Sequence, residues 1–371
     1  MNKVKLGEIL KIKHGFAFKS ENYVDESEYA LVTLANISST NNFQFNKDKT
    51  TFYGAPFPDD FILKEDDLIM PLTEQVVGLF GNTAFVPKMQ GITFVLNQRV
   101  GKVVPVDGKA DKYYLHYLLA TNLVKDQLEY SASGTRQRNI SPDDVYDVEV
   151  FLPDIVTQRK IGKCLYDIEK KVNLNNAIND NLAAMAYDIY MHSFFSKKPN
   201  AKLKDILIEA DKSSVQVGEA KQSTGEYPFF TSGSAILKWD TPFIDGRNCF
   251  LNTGGNADVK FYVGAAAYST DTWCISANNN MSDYLYLLLV SIKPELNQKF
   301  FQGTGLKHLQ KPLLKDRPIY IPDFEELKTF NEQVNPMLNI ISENTRENQE
   351  LITLRDWLLP MLMNGQATIS D

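Results

Sequence analysis

Two short stretches of the sequence place polar and basic side chains around a Gly-Thr pair. The pairs are Gly134-Thr135 and Gly303-Thr304, and each is followed by basic residues. The candidate contact residues are Ser133, Thr135, Arg136, Gln137, Arg138 and Asn139 in the first stretch, and Thr304, Lys307, His308 and Gln310 in the second. Hydroxyl and basic side chains bind phosphate oxygens, whereas arginine and amide side chains read guanine and adenine edges. The residue types therefore predict two loops that contact duplex DNA, and a solvated hairpin loop is the alternative.

Within the first stretch, Arg136, Gln137 and Arg138 are the strongest candidates for reading bases. Further basic and amide residues stand in loops of β-rich segments and are weaker candidates for DNA contact. They are Lys19, Asn97, Gln98 and Arg99 in the first half of the chain, and Lys238, Arg247, Asn256 and Lys260 in the second. Asn256 lies in FLNTGGNADVKF, whose adjacent glycines suit either a phosphate contact or a tight turn.

The elements around the two stretches are also repeated. A shift of 169 residues relates the Gly-Thr pairs and, after a β-type run, the pairs Pro153-Asp154 and Pro322-Asp323. The halves begin with KLGEIL (5–10) and KLKDIL (202–207), and each has a short apolar helix before its Gly-Thr pair. Sequence repeats of 20–50 residues are typical of solenoids, so this much longer period predicts two copies of a whole domain.

A long helical pattern with an a/d heptad seam follows each Pro-Asp pair. The predicted helix-pairing residues are Ile168, Val172, Asn175, Asn179 and Leu182, and, shifted by 169, Met337, Ile341, Asn344, Asn348 and Leu351. Alternating steps of three and four are typical of paired helices, and asparagines in such a seam fix its register. The pattern predicts a helix from about 156 to 195 and an antiparallel coiled coil between the two copies. Helices packed on their own domains are the alternative.

One residue interrupts the second helical pattern. Pro336 lacks the backbone N–H and its ring clashes with the preceding turn, so we expect the helix to kink or restart there.

The composition indicates a globular protein without a membrane span. Of 371 residues, 43% are hydrophobic and 23% charged, and no apolar run approaches the length of a transmembrane helix. The three cysteines are scattered, which predicts reduced thiols and a cytoplasmic protein, and the four histidines are isolated, which argues against a metal site. The net charge is −7, but residues 323–371 contribute −6, so the rest is nearly neutral and can carry basic patches.

Motifs for catalysis are missing from the sequence. It has no GxGxxG or P-loop pattern, and no Asn/Asp-Pro-Pro-aromatic motif of adenine methyltransferases. Pro322-Asp323 with Glu326 and Lys328 superficially resembles a nuclease motif, but its acids are too close together. We interpret Asp323 and Glu326 as a capping box at the start of the second long helix. The sequence thus favours a non-enzymatic protein.

The order of these segments resembles the specificity subunit of type I restriction–modification systems. The resemblance lies in the KLGEIL start, GFAFKSENY followed by LVTLANIS (31–38), the junction SGTRQRNI to FLPDIVTQRKI, and LLPMLMNGQ (358–366). It spans nearly the whole chain, and its specificity comes from the order and duplication of the segments. The second junction, IPDFEELKTF, departs from the pattern because it has no equivalent of Gln158.

The resemblance implies an α+β fold in which two target-recognition domains of mixed α/β type are separated by two long antiparallel helices that form a coiled coil. The internal duplication would then be pseudo-two-fold. The predicted division is a first recognition domain (1–153), a first long helix (154–197), a second recognition domain (198–322) and a second long helix (323–371).

The resemblance also implies function and partners. Each domain would read one half of a bipartite, asymmetric site in double-stranded DNA. The helices would set the spacing and dock methyltransferase subunits, two in number, and a restriction and translocation subunit would join the complex. S-adenosylmethionine, ATP and Mg²⁺ would bind to those partners and no cofactor to this chain. The alternatives are a recognition subunit of another restriction class and an interaction protein whose two domains bind a ligand other than nucleic acid.

Overall fold

The computed structural model describes residues 2–75, 77–134 and 137–369. The chain divides into two compact units, Met1–Glu169 with Ile352–Asp371, and Lys170–Leu351. The finer division at residues 153, 197 and 322 remains a prediction. No helix in the described ranges combines the length and the apolarity that crossing a membrane would require.

The first unit contains short strands, three short helices and parts of two long ones. Its strands are β1 (Asn2–Lys5), β2 (Leu10–His14), β3 (Tyr23–Val24), β4 (Tyr29–Val32), β5 (Phe52–Tyr53), β6 (Leu68–Pro71), β7 (Thr73–Glu74), β8 (Ala84–Phe85), β9 (Thr93–Leu96), β10 (Val100–Pro105), β11 (Arg138–Asn139) and β12 (Glu149–Leu152). Its helices are α1 (Lys112–Leu119), α2 (Asn122–Ser131), α3 (Pro142–Tyr146), the beginning of α4 (Ile155–Phe194) and the end of the second long helix, from Ile352 to Met363.

Two four-stranded sheets organise the first unit. One has the order β2-β10-β6-β8 and is antiparallel throughout. The other has the order β3-β5-β4-β9, in which β4 and β9 run parallel. Parallel neighbours need a long crossover, and here the chain from residue 33 to residue 92 supplies it. This crossover carries most of the unit's irregular loops.

The second unit has the same kinds of element. Its strands are β13 (Ala201–Lys202), β14 (Leu207–Glu209), β15 (Tyr227–Phe230), β16 (Ile236–Trp239), β17 (Arg247–Asn252), β18 (Val259–Val263), β19 (Ala267–Tyr268), β20 (Thr272–Ala277), β21 (Phe301–Gln302), β22 (His308–Leu309) and β23 (Pro318–Ile319). Its helices are α5 (Val217–Ala220), α6 (Ser282–Ser291), α7 (Lys293–Glu295), α8 (Lys311–Lys315), the remainder of α4 and most of α9 (Phe324–Met363).

The sheets of the second unit repeat the topology of the first. The order β14-β20-β17-β18 matches β2-β10-β6-β8, and β15 pairs parallel with β19 as β4 does with β9. The starts of the halves also match, since Leu6–Glu8 and Leu203–Asp205 are both single 3₁₀ turns. The predicted α+β fold with internal duplication is therefore confirmed.

Each unit packs segments of both long helices into its core. In the first unit, Ile161 and Leu165 of α4 and Leu362 of α9 join the same buried cluster. In the second unit, Tyr190 of α4 and Phe330 of α9 share a cluster with the strands. Apolar residues on one face of each helix explain this burial, because each segment is amphipathic.

Acidic residues cap the starts of both long helices. In α4, the Asp154 carboxylate accepts hydrogen bonds from the backbone N–H groups of Val156 and Thr157, both at 3.0 Å. Bonds from Thr157 hold the pKa of Asp154 below its ordinary value. In α9, Asp323 accepts from the N–H of Glu326 at 2.9 Å while Glu326 accepts from the N–H of Asp323 at 3.2 Å. The predicted capping box is confirmed.

The restart expected at Pro336 is wrong, because α9 continues unbroken from Phe324 to Met363. Pro336 and the residue one turn earlier, Glu332, are both exposed, so water can hydrate the carbonyl group that loses its N–H partner. On the opposite face Val334 and Leu338 are fully buried and hold the helix against the domain. The packing offsets the local cost of the proline.

Candidate nucleic-acid interface

The described residues at the two ends of the first Gly-Thr stretch, Ser133 and Asn139, pair as the base of a hairpin, called here the first hairpin. Ser133 and Asn139 exchange backbone hydrogen bonds of 3.0 and 2.8 Å. The strand β11 then pairs with β7, which places Asn139 opposite Thr73 and Arg138 opposite Glu74. Ser133 and Asn139 are exposed and Gln137 is half-buried. The predicted contact residues Thr135 and Arg136 lie outside the described residues.

The second hairpin, residues 302–308, has the same construction. Gln302 and His308 pair across its base, at positions 169 residues after Ser133 and Asn139. Gly134 and Gly303 both have positive φ, at 103° and 150°. A Cβ atom would lie 2.3 Å from the Gln137 oxygen in the first hairpin and 2.5 Å from the Leu306 oxygen in the second. Both turns therefore require glycine, for the same steric reason.

The two hairpins are also fastened to their units in the same way. Ile140 and Leu309, again 169 residues apart, donate backbone hydrogen bonds of 3.0 and 2.9 Å to the carbonyl oxygens of Leu72 and Thr253. Each of these acceptors follows the second central strand of its sheet, β6 or β17. The structure thus builds one supersecondary element twice, down to the individual main-chain bonds.

Arg138 is fixed by protein groups in the first hairpin. Its guanidinium lies 3.0 Å from the Glu74 carboxylate and 2.5 Å from that of Glu129, and it donates to the Glu129 carbonyl oxygen at 2.8 Å. Glu74 is 1% exposed and also accepts from the N–H groups of Leu79 and Phe80. This cation compensates the charge of a buried carboxylate. In this arrangement Arg138 holds the hairpin against the loop that follows β7.

The equivalent residue of the second hairpin, Lys307, is free of such a pair. Gly255 occupies the position of Glu74, and it binds Lys307 through main-chain atoms, N–H to oxygen at 2.9 Å. The Lys307 side chain is exposed and has no carboxylate partner among the described residues. Thr304 and His308 are exposed beside it. This hairpin therefore presents a free cation and two polar side chains to solvent.

The weaker candidates of the first unit differ in their accessibility. Lys19, Gln98 and Arg99 are exposed, and Asn97 is buried. Arg99 lies beside the first hairpin, because its carbonyl oxygen accepts from Leu72, the residue that binds the hairpin. In the second unit Asp271 holds this place by accepting from Thr253 at 3.0 Å.

The weaker candidates of the second unit are mostly engaged within it. The Lys260 amine donates to the carbonyl oxygens of Thr231 and Gly233, and burial lowers its pKa. Arg247 pairs with the buried carboxylate of Asp283 at 2.5 Å. Lys238 on β16 is half-buried, as is Gln310 after the second hairpin. Asn256 is exposed.

Sequence reasoning missed a polar loop in the first unit, residues 33–51, which contains SSTNN. Its turn is built on Asn36, whose side chain accepts from the N–H of Thr33 at 2.8 Å and donates to the Gln44 carbonyl oxygen at 2.9 Å. The density of hydroxyl and amide side chains was the available signal, but a solvated loop has the same composition. Among the described residues, no group of His, Cys, Asp and Glu is arranged to hold a metal ion.

Comparison with known proteins identifies the family of this chain. Residues 1–184 and 197–352 match the family model of the type I restriction modification DNA specificity domain. The chain belongs to this family. It is a specificity subunit of a type I restriction–modification system, a non-catalytic DNA-recognition subunit. The predicted family and function class are confirmed by this match.

Relatives of the specificity subunit are distant in sequence. The MjaIX specificity subunit of Methanocaldococcus jannaschii is 19% identical over 74% of this chain and 73% of its own length. The putative MjaX specificity subunit of the same organism is 21% identical over 71% and 70%. A crystal structure of the type I S subunit from M. genitalium covers all of this chain and 96% of its own, with a TM-score of 0.66 at 15% identity. That structure has the same fold.

The long helices of the specificity subunit contact each other through asparagines. Asn175 donates to the side-chain oxygen of Asn348 at 2.9 Å, and Asn344 donates to that of Asn179 at 2.8 Å. The residue numbers rise along α4 as they fall along α9, so these helices are antiparallel here. Because the two contacts exchange under the 169-residue shift, the repeat extends to the helix contact.

A charged pair lies beside these asparagines. Glu347 accepts from Asn175 at 2.6 Å and lies 3.2 Å from the Lys171 amine, and both contacts hold its pKa below the ordinary value. The other predicted pairing residues are half-buried: Ile168, Val172, Leu182, Met337, Ile341 and Leu351. Met337 and Ile341 pack on the core of the second unit.

Replacing Asn348 by leucine is expected to destabilise the helix pair by about 1–3 kcal/mol, because Asn175, which is 1% exposed, loses one of its two acceptors and Asn176 loses a donor. Adding Asn175→Leu is expected to restore part of this loss, since the buried Asn175 amide that lost its acceptor is then removed. Urea unfolding followed by helical circular dichroism measures both changes. Asn181→Leu, at an exposed position of α4, is the control. Additive losses in the double variant would contradict a direct contact.

Proposed function

We propose that this specificity subunit recognises a bipartite, asymmetric site in double-stranded DNA. The first domain reads one half of the site and the second domain reads the other. The paired helices α4 and α9 set the length of the undefined gap. DNA is contacted at the two hairpins, through the exposed polar groups of the first hairpin and through Lys307, Thr304 and His308 of the second.

The repeated hairpin is the observation that carries this proposal. Both hairpins need a glycine with positive φ, both close through an equivalent pair, and both dock by an equivalent main-chain bond. Glycine allows the backbone to approach a ligand closely, and hydroxyl, lysine and backbone N–H groups are the usual phosphate ligands. Two equivalent DNA-contacting elements in one chain suit a site with two halves.

The partners follow from the same arrangement. Two methyltransferase subunits dock on the helices, because the antiparallel pair presents equivalent surfaces twice, and a restriction and translocation subunit completes the complex. S-adenosylmethionine, ATP and Mg²⁺ bind to those partners. The acidic residues of α9 that remain exposed, such as Glu343 and Glu350, keep this surface unfavourable for phosphate and suited to a protein partner.

Methylation mapping tests the proposal. The methylated bases of a host carrying this chain and its modification genes are compared with those of a strain that lacks this chain alone. We expect the loss of one split motif, with two short defined halves around a fixed gap. An identical methylation pattern, together with no salt-sensitive DNA binding by the purified complex, would overturn the proposal.

A further inference from the structure

We infer that the polar loop of the first domain, residues 33–51, reads the bases of its half-site, and that Gln44 and Asn46 are the specificity-determining residues. The hairpins contact the sugar–phosphate backbone, which is common to both halves of the site. This inference rests on the proposed function, because it assigns the base contacts of the first domain.

Because the domain is duplicated, DNA contacts that both domains make can be distinguished from contacts that differ between them. If the two domains read different sequences, then main-chain contacts that are built identically in both cannot supply the difference. The hairpins share their glycine, their closing pair and their docking bond, all through main-chain atoms. Main-chain and phosphate contacts position a protein on DNA but carry no sequence information. The base-reading residues must therefore lie where the domains differ.

The largest difference between the domains follows the equivalent strands β4 and β15. After β15 the chain turns within residues 231–235 and returns as β16. The Lys260 amine ties this turn by donating to Thr231 and Gly233. After β4 the chain instead makes the excursion of residues 33–51 before it returns as β5. The polar loop is thus an addition at one place in a shared fold.

The polar loop forms a groove of about 640 Å³, lined by residues that include Thr33, Gln44, Asn46, Lys49 and Thr51. Gln44 is exposed, and its side chain has no hydrogen-bond partner among the described residues. Asn46 uses its side-chain oxygen to accept from the N–H of Asp48 at 3.0 Å, and its NH₂ group has no acceptor within the described ranges. Lys49 is exposed and has no carboxylate partner in the described chain. The groove therefore offers uncommitted amides beside a cation.

A chain of contacts joins the polar loop to the first hairpin. Asn82 donates from its side chain to the Ser38 oxygen at 3.1 Å, and the N–H of Thr83 donates to the Asn41 side chain at 3.2 Å. Just before these residues, the N–H groups of Leu79 and Phe80 bind Glu74, the partner of Arg138. The loop and the hairpin are thus joined through buried side chains of the first unit.

The side chains of the groove match a base edge. An amide group donates and accepts at once, and in the major groove adenine presents the complementary pair, N6 and N7. Lys49 then neutralises a neighbouring phosphate. We therefore expect adenine in the first half-site at the positions that Gln44 and Asn46 contact.

The test replaces each amide by its isosteric acid in the complete complex, after the wild-type motif has been mapped. Gln44→Glu and Asn46→Asp remove the NH₂ donors but keep an oxygen, so Asn46→Asp still accepts from Asp48. We expect the preference for adenine at one position to fall by about 5- to 150-fold in each variant, with cytosine favoured in its place. The other half-site and the gap stay unchanged.

Gln90→Glu is the matched control, because Gln90 is an exposed amide of the same unit outside the groove. It adds the same charge and is expected to leave the motif unchanged. If a variant abolishes methylation, the purified complex is measured on duplexes in which each base of the first half-site is changed in turn. Retention of the wild-type order of preference, in cells or on these duplexes, overturns the inference. If the wild-type complex shows no split motif, the proposed function itself fails.

Discussion

Gly134→Ala and Gly303→Ala are each expected to weaken sequence-specific DNA binding by at least about 100-fold and to abolish methylation of the mapped motif. Either variant alone suffices, because a bipartite site is recognised when both halves are bound. The reason is steric and conformational. Both residues have positive φ, and an added Cβ would lie within 2.5 Å of a carbonyl oxygen three residues along the chain. The hairpin must then open and lose its contact geometry.

A glycine two residues away provides the control for this experiment. Gly305 has no positive φ and no atom within 4 Å of an added Cβ, so Gly305→Ala is expected to bind DNA like the wild type. Binding is measured with the purified complex on the mapped duplex at fixed salt, and folding is checked by circular dichroism. Normal binding by Gly134→Ala and Gly303→Ala would show that neither hairpin contacts DNA.

Arg138→Ala is expected to destabilise the first unit by about 3–5 kcal/mol, because it leaves a buried carboxylate without its cation. Glu74 is 1% exposed, and its side chain also holds the N–H groups of Leu79 and Phe80. Hydrogen–deuterium exchange at these two amides measures the loss directly. Adding Glu74→Gln is expected to restore part of the stability, since the unpaired charge is then removed.

The equivalent change in the second unit is expected to act differently. Lys307→Ala removes an exposed cation that has no carboxylate partner in the described part of the chain, so it should leave stability within about 0.5 kcal/mol of the wild type. DNA binding should weaken, and the salt dependence of binding should fall by about one phosphate contact. If Arg138→Ala kept its stability and lost base preference, Arg138 would read DNA as the sequence analysis predicted.

The duplication and the long helices could be predicted from sequence because their signals are local and periodic. The 169-residue shift, the heptad steps and the capping box at Asp323 and Glu326 each depend on residues close together in the chain. The helix predicted from about 156 to 195 is observed as Ile155–Phe194. The restart expected at Pro336 does not occur, because buried neighbours that belong to tertiary packing stabilise α9 there.

The assignment of individual contacts could not be predicted in this way. The sequence does not reveal that Arg138 is paired, because its partner Glu74 lies 64 positions earlier in the chain. Its equivalent Lys307 is free because glycine replaces that acid. Likewise, the polar loop differs from an ordinary solvated loop by the groove it forms, and a groove depends on three-dimensional arrangement. Such roles require knowledge of which distant side chains meet.

The main-chain docking of the hairpins has a consequence for how this protein can change. The bonds from Ile140 to Leu72 and from Leu309 to Thr253 involve no side-chain atoms. Selection can therefore replace the side chains that face the ligand without altering the scaffold that carries them. Gln137 and Leu306, which occupy equivalent places on the two hairpins, already illustrate such divergence after duplication. The exposed side chains of the hairpins can therefore change without loss of stability.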